Sequence, residues 1–269
     1  MCSGAGALEV SRVAGQSALV SCWSSNPLKI LAPRARGESV WAYLSSFGGG
    51  IVGGDQVGIQ ITVNEGARCF LSTQASTKIY RNSAERACTQ TLNASLGPES
   101  LFVLAPEVLQ PFANGSYSQT QQFQLQAGAG LVLVDWLSAG RVARGERWSF
   151  RRFESKNEVF IDGELVFIDS LLLDSSLTQA PLPLGRYNCV ALVVVIGPIL
   201  GDAVESLADS ISQLPVERRP SLVQSVSRIP HGIVLRIAGT TVEEVSRKIQ
   251  EHLKFVVPLL GDDPWKRKW

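Results

Sequence analysis

"GGGIVGGDQVGIQITV", residues 48–63, decides between two folds. Five of its first eight residues are glycine, and Gly48, Gly50 and Gly53 satisfy the G-x-G-x-x-G spacing of a dinucleotide-binding turn. That turn works only where a strand leads in and a helix leads out, so that free N–H groups at the helix start face a pyrophosphate. "VWAYLSSF", residues 40–47, can supply the strand. The helix is missing. Val57, Ile59, Ile61 and Val63 recur at two-residue spacing with Gly58, Gln60 and Thr62 between them, the pattern of a strand with one buried face. No Asp or Glu occurs in residues 68–84, where an acid for the ribose hydroxyls would fall, and the Gly-Lys-Ser/Thr ending of a P-loop is absent. The glycines therefore read as a bend between two strands, where positive φ or close backbone approach excludes a Cβ.

The strand reading extends outward in both directions. From residue 7 to about 185 short strand-like runs, "ALVSCW", "ARCFLSTQ", "ACTQTLNASL", "SLFVLAP", "GLVLVDWLSA", "RWSFRRFES" and "EVFIDGELVFIDSLLL" among them, alternate with glycine, proline and asparagine. In "SYSQTQQFQLQ" both parities are polar, with Tyr117, Gln119, Gln121, Phe123 and Leu125 on one and Ser118, Thr120, Gln122 and Gln124 on the other; this predicts an edge or interface strand. No internal repeat of fixed period is visible.

After Tyr187 the pattern changes. "CVALVVVIGPIL", residues 189–200, reads as a buried strand stopped at Gly197-Pro198. Val204, Leu207, Ile211 and Leu214 then predict a helix over residues 201–214, closed by Pro215. Strands near "SLVQSVS" and "GIVLRIA" precede a second helix that starts at Thr240-Thr241, with Glu243 and Glu244 as capping partners and Val245, Ile249, Leu253 and Val256 as its buried stripe. The tail "DDPWKRKW" reads as a frayed end. The chain thus divides into a β-rich region, 1–185, and a smaller C-terminal α/β portion with two helices, 186–269, packed as one unit.

Composition fits a globular chain of 269 residues, 45% hydrophobic and 18% charged. Lys plus Arg number 25 against 24 Asp plus Glu, so no overall field draws nucleic acid or a membrane surface. Cys2, Cys22, Cys69, Cys88 and Cys189 form no C-x-x-C pair and are odd in number, which favours a reducing, cytoplasmic compartment. Glu9 and Arg12 interrupt the first 20 residues where a secretory signal would need an apolar run, so the sequons at Asn93 and Asn114 read as chance.

Chemistry is sparse. His231 and His252 are the only candidate bases for a triad, and each fits a structural place better. No His or Cys pair falls at metal-ligand spacing, and sequence alone cannot pair Asp55, Asp135, Glu146, Asp162 or Asp169 across a site. Two stretches stand out: "STQASTKIYRN", a dense polar run after a strand, suits a partner surface or a solvated turn. "DWLSAGRVARGERWSF" mixes Arg141, Arg144, Arg147, Arg151 and Arg152 with two tryptophans, the composition of interface hot spots, although Glu146 can pair internally.

Together these stretches resemble the UreD (UreH) family of urease accessory proteins, in form most like its plant and algal branch. "YLSSFGGGIVGGD" is similar to the family's glycine-rich signature, "STQASTKIYR" to its Thr-Gln-x-x-Thr-Lys-x-Tyr block, and "GRVARGERWSF" to its Gly-Arg-x-Ala-x-Gly-Glu-x-Trp-x-Phe block. "SNPLKILAPR", "LAPEVLQPF" and "FIDSLLLD" extend the match over residues 8–185. The resemblance implies a mainly β fold, an elongated β-helix-like stacking of short strands. It implies a scaffold and nickel conduit rather than an enzyme, joined to a UreF-type protein and a UreG-type GTPase on apo-urease. No cofactor would be held stably, and nickel would be in transit. Carried over by motif, Gly49, Gly50, Gly53, Gly54, Thr73, Gln74, Lys78, Tyr80, Arg141 and Arg144 become structural or partner-face candidates, and Asp55 and Glu146 become nickel-path candidates, since carboxylates bind a dication and exchange it. A small-molecule-binding β domain using the glycine bend as a ligand mouth is the alternative from another class, and a carboxylate hydrolase is a third.

Overall fold

A computed structural model describes residues 3–34, 37–81, 86–177 and 184–266. In chain order the strands are β1 (Ser3–Val13), β2 (Gln16–Ser24), β3 (Leu28–Leu31), β4 (Val40–Ser46), β5 (Gly50–Ile51), β6 (Gln56–Val63), β7 (Arg68–Thr73), β8 (Thr77–Ile79) and β9 (Cys88–Leu96). They continue as β10 (Leu101–Leu104), β11 (Leu109–Pro111), β12 (Ser116–Leu125), β13 (Gly130–Ser138), β14 (Arg152–Ile161), β15 (Glu164–Asp174) and β16 (Cys189–Ile196). Helix α1 (Gly201–Ser212) follows, then β17 (Leu222–Ile229), β18 (Gly232–Gly239), α2 (Val242–His252) and the short α3 (Val256–Leu260).

The centre is a parallel β-solenoid. Each coil runs through a strand of one sheet, a short strand on a third face, and a strand of the opposite sheet: β4-β5-β6, then β7-β8-β9, then β10-β11-β12. A fourth coil, β13 to β14, replaces the short strand with a 3₁₀ turn at Val142–Arg144. In one sheet Val40, Cys69, Phe102 and Leu131 lie side by side, steps of 29, 33 and 29 residues. In the other, Gln56, Thr89, Ser118 and Glu154 do, steps of 33, 29 and 36. These unequal coils explain why no fixed period is visible in the sequence: the repeat is one of backbone register. Equivalent corners carry a left-handed residue at Gly66 (φ 62°), Glu99 (φ 53°) and Gly128 (φ 81°), each one position before a residue whose neighbour opens the next coil.

Antiparallel strands cap the stack. β1 extends one sheet in parallel beside β6 and β2 closes it antiparallel to β1, β15 closes its other end antiparallel to β14, and β3 pairs antiparallel with β4. The other sheet continues from β13 through β16, β18 and β17, so the C-terminal strands share a sheet with the solenoid. Helices α1 and α2 bury Val204, Leu207, Ile211, Val245 and Ile249 against its outer face. Thr241 caps α2 by accepting the Glu244 N–H at 3.2 Å, while the Glu244 carboxylate accepts from Ser221 Oγ instead of returning to the cap. Leu253 and Val256, expected on the same helix, are both fully buried but lie beyond it, Leu253 in a 3₁₀ turn (Leu253–Phe255) and Val256 at the start of α3.

Four further expectations change. β12 is central, paired with β9 and β14, not an edge; of its glutamines, the inward Gln119 and Gln121 are accommodated by Asp135 and Asn157 inside the solenoid. Helix α1 stops at Ser212, leaving Leu214 exposed. The strand expected at "RWSFRRFES" begins only at Arg152, since Trp148 takes φ 52° to turn its ring inward. The tail packs as far as Trp265, which lies against the helix-covered core; residues 267–269 fall outside the description.

Candidate functional site

Side chains alternate across a strand, so one parity of each long strand faces the solenoid interior. Mostly these are Ile, Leu, Val and Phe, the core between the sheets. A second apolar cluster, with Ile51, Ile79, Leu109, Phe150 and Phe153, fills the third corner. Between the two lies a polar seam. Along it Gln90, Gln119 and Ser155 are neighbours in register, as are Gln121 and Asn157 one pair further along. Asp135 reaches in from β13 on the facing sheet.

Asp135 carries the seam's charge. Gln119 Nε2 donates to its Oδ1 at 2.8 Å, and Ser155 Oγ and Asn157 Nδ2 donate to its Oδ2 at 2.5 and 2.9 Å. Gln119 Nε2 also lies 2.8 Å from Ser155 Oγ, Tyr117 donates to Gln119 Oε1 at 3.2 Å, and Gln121 donates to Asn157 Oδ1 at 3.0 Å. Burial pushes the Asp135 carboxyl above the ordinary Asp value, the three donors oppose the shift, and the nearby Asp169 adds to it.

Cavities follow the seam. At one end a cavity of about 120 Å³ is bounded by Gly49, Gly50, Asp55, Gln74, Thr77 and Gln90. A narrower one of about 40 Å³ shares Thr73, Thr77 and Gln90 with it and extends past Gln119 to Asp135. Asp135 in turn lines a wide cavity of about 540 Å³, walled by Leu137, Phe153, Leu171 and Ile237 and bordered by Asp169, which pairs with Arg236 at 2.9 Å.

The sequence candidates divide between this seam and the outer face. Asp55, 6% exposed, faces the first cavity. Its N–H donates to the Val52 carbonyl at 3.0 Å and its Oδ2 accepts the Val52 N–H at 3.1 Å, closing the turn that Gly53 and Gly54 form between them. Thr73 Oγ1 accepts the Glu107 N–H at 2.9 Å, and Gln74 Oε1 accepts from Ser45 Oγ at 2.8 Å. Gly49 takes φ 71° in the bend. Gly50 is held by contact: a Cβ there would lie 2.5 Å from the Lys78 carbonyl oxygen and 2.6 Å from the Tyr80 ring.

Glu146 is elsewhere. Both its oxygens accept from the Arg141 guanidinium, Nε to Oε2 at 2.9 Å and Nη2 to Oε1, and Oε2 also accepts the Ala113 N–H at 3.1 Å. The Arg141 bond, then the Ala113 bond, hold its carboxyl below the ordinary Glu value. Arg141 lies 4.1 Å over the Phe112 ring, Phe112 meets Tyr80 edge-on at 5.3 Å, and Tyr80 donates to the Gly48 carbonyl at 3.2 Å. Asp55 and Glu146 are therefore not brought together: one faces the interior, the other belongs to an outward stack that also includes Lys78, with Arg144 exposed just beyond. Asp135, Gln119, Ser155 and Asn157 were not singled out as a site from sequence. Their signal was the inward parity of "SYSQTQQFQLQ", polar where a core strand should be apolar.

Among the described residues no three His, Cys, Asp or Glu side chains converge. Cys69 and Cys189 are buried with thiols pushed up to about 12, and Cys88 to about 11. His252 hydrogen-bonds Gln224 at 2.7 Å and His231 sits in the β17–β18 turn. No helix among the described residues is long and apolar enough to cross a membrane.

The profile of the UreD urease accessory protein matches residues 3–269. A urease accessory protein UreD of Sorangium cellulosum is 41% identical over 99% of this chain and 85% of its own length. Urease accessory protein D of Oryza sativa subsp. indica is 32% identical over 97% of this chain and 94% of its own length, and that of Arabidopsis thaliana is 31% identical over 97% and 99%. With the profile covering nearly every residue and the bacterial and plant relatives aligned almost end to end, the chain belongs to the UreD family of urease accessory proteins.

Proposed function

We propose that this chain is a non-enzymatic scaffold and nickel conduit for the maturation of urease, acting on the apoprotein together with a UreF-type protein and a UreG-type GTPase in the cytoplasm. The observation that carries the reading is the polar seam from Asp55 past Gln90 and Gln119 to Asp135, inside an otherwise apolar solenoid. A conduit must bind a dication weakly enough to release it. Carboxylate, amide and hydroxyl oxygens do this, whereas a His or Cys set would retain nickel. In this reading Asp55 and Asp135 are the charged stations, and Glu146 serves the outer face through Arg141.

The ligand-mouth alternative is poorly served by the glycine bend. Its cavity of about 120 Å³ is well below the roughly 300 Å³ at which small-molecule pockets begin. The deciding experiment is the nickel content and urea-hydrolysing activity of cognate urease from cells carrying the wild-type chain, Asp135→Asn, Asp55→Asn, or no chain, with the other accessory factors present. We expect folded, nickel-poor, inactive urease without the chain and partial loading with each variant. Equal loading in all four strains would remove the proposal.

A further inference from the structure

The blocks that mark this chain's family lie about 30 residues apart in sequence, yet each adds one residue to a single outward stripe. Ile51, Ile79 and Pro111 are neighbours in register on the short-strand face. The next residue of each coil therefore points outward: Val52 from the glycine block, Tyr80 from the Thr-Gln block, and Phe112 from "LAPEVLQPF". Arg141 of the fourth coil completes the row over the Phe112 ring. Val52 is 50% exposed, and Phe47 and Val142 beside the stripe are 64% and 41% exposed. Lys78, Arg81 and Arg144 surround it without an ion pair among the described residues; the acid there among those residues, Glu146, is bonded to Arg141 and also feels the Arg81 charge.

An aromatic and arginine row with exposed apolar neighbours and a net cationic rim among the described residues has the composition of a protein-binding hot spot, and the rim selects a partner of opposite charge. Internal packing accounts for Tyr80 and Phe112; it does not account for the apolar surface left at Phe47 and Val52. The stripe also borders the Asp55 cavity, whose wall includes Gly49, Gly50 and Ile51. We propose that the Val52–Tyr80–Phe112–Arg141 stripe docks a protein surface with carboxylates around an apolar centre, and that this partner is the urease apoprotein, covering the Asp55 mouth when bound. The assignment of urease rests on the function proposed above.

The test measures binding of purified chain to purified cognate apo-urease at low and high salt. The variants are Lys78→Glu/Arg144→Glu, Val52→Asp, and Arg247→Glu on the exposed face of α2 as a charge-matched control; circular dichroism confirms folding. We expect at least about tenfold weaker binding for the first two, wild-type binding for the control, and a salt dependence that shrinks in the double variant. If both stripe variants bind as wild type and support urease activation in cells, the stripe is not the docking surface while the conduit reading stands. If wild-type chain neither binds apo-urease nor is needed for its nickel loading, both fall together.

Discussion

Gln119 and Asp135 sit on opposite sheets and meet across the solenoid interior, Nε2 to Oδ1 at 2.8 Å. The contact joins β12 to β13, consecutive strands on facing walls, at the level where the apolar filling is interrupted. Because Gln119 also accepts from Tyr117 and lies within hydrogen-bonding distance of Ser155, one amide organises a carboxylate, a phenol and a hydroxyl. Buried polar networks of this kind hold only when every member is satisfied, and among the described residues no buried side-chain polar atom lacks a partner.

Gln119→Leu should therefore cost more than its size suggests. It leaves the Tyr117 hydroxyl and one oxygen of Asp135 unpaired, each a desolvation loss of about 1–3 kcal/mol. We expect a lower urea midpoint with an unchanged m value, and reduced nickel loading of urease in cells. Unchanged stability would mean that the amide is not the organising member of the seam.

Asp135 gives a pH signature. Its folded-state pKa is raised by burial, so between the ordinary Asp value of about 3.9 and the raised value the unfolded chain is ionised while the folded chain keeps its proton. Stability from this group is thus lost as pH rises through that window and is constant above it. Asp135→Asn has no such titration, so its stability relative to wild type should improve as pH rises through mildly acidic values. Urea denaturation of both proteins across that range reads the difference directly, and parallel pH profiles would contradict it.

Most strands and the two main helices were legible because burial imposes period 2 or 3.6 on the sequence, as at Val57–Val63 and Val245–Ile249, while the 3₁₀ break after His252 left no mark on that pattern. The solenoid itself had no such imprint; it came from the resemblance, since coils of 29 to 36 residues are fixed by backbone pairing with no matching side-chain repeat. Asp55 was legible through its motif. Asp135 was not, because its partners Gln119, Ser155 and Asn157 come from other strands, and the two-sided polarity of β12 reads equally as an edge until its neighbours are known.

Gly50→Ala tests the stacking of coils. Gly50 pairs in register with Lys78, and an added Cβ meets the Lys78 carbonyl at 2.5 Å, backbone that cannot rotate away. Overpacking of this kind costs about 1–3 kcal/mol. Gly58, where a Cβ meets nothing within 4 Å, should accept alanine with a change within about 0.5 kcal/mol. Thermal denaturation of the two variants side by side checks the contrast; equal melting temperatures would place β5 and β8 further apart than described.

Glu146 should show the opposite pH sign to Asp135. The Arg141 bond, followed by the Ala113 N–H, lowers its folded-state pKa, so the unfolded chain takes up a proton first as pH falls. The stabilisation is fully present above the ordinary Glu value of about 4.3 and is lost as pH falls through the lowered folded value. Glu146→Gln keeps an acceptor for Arg141 and Ala113 but has nothing to titrate. On acidification wild type should therefore lose stability relative to Glu146→Gln, while the two profiles run parallel at neutral pH. Because Arg141 is held over Phe112 by this carboxylate, Glu146→Gln should also weaken whatever binds the stripe without changing the nickel seam. A variant that instead blocks nickel transfer with binding intact would return Glu146 to the path.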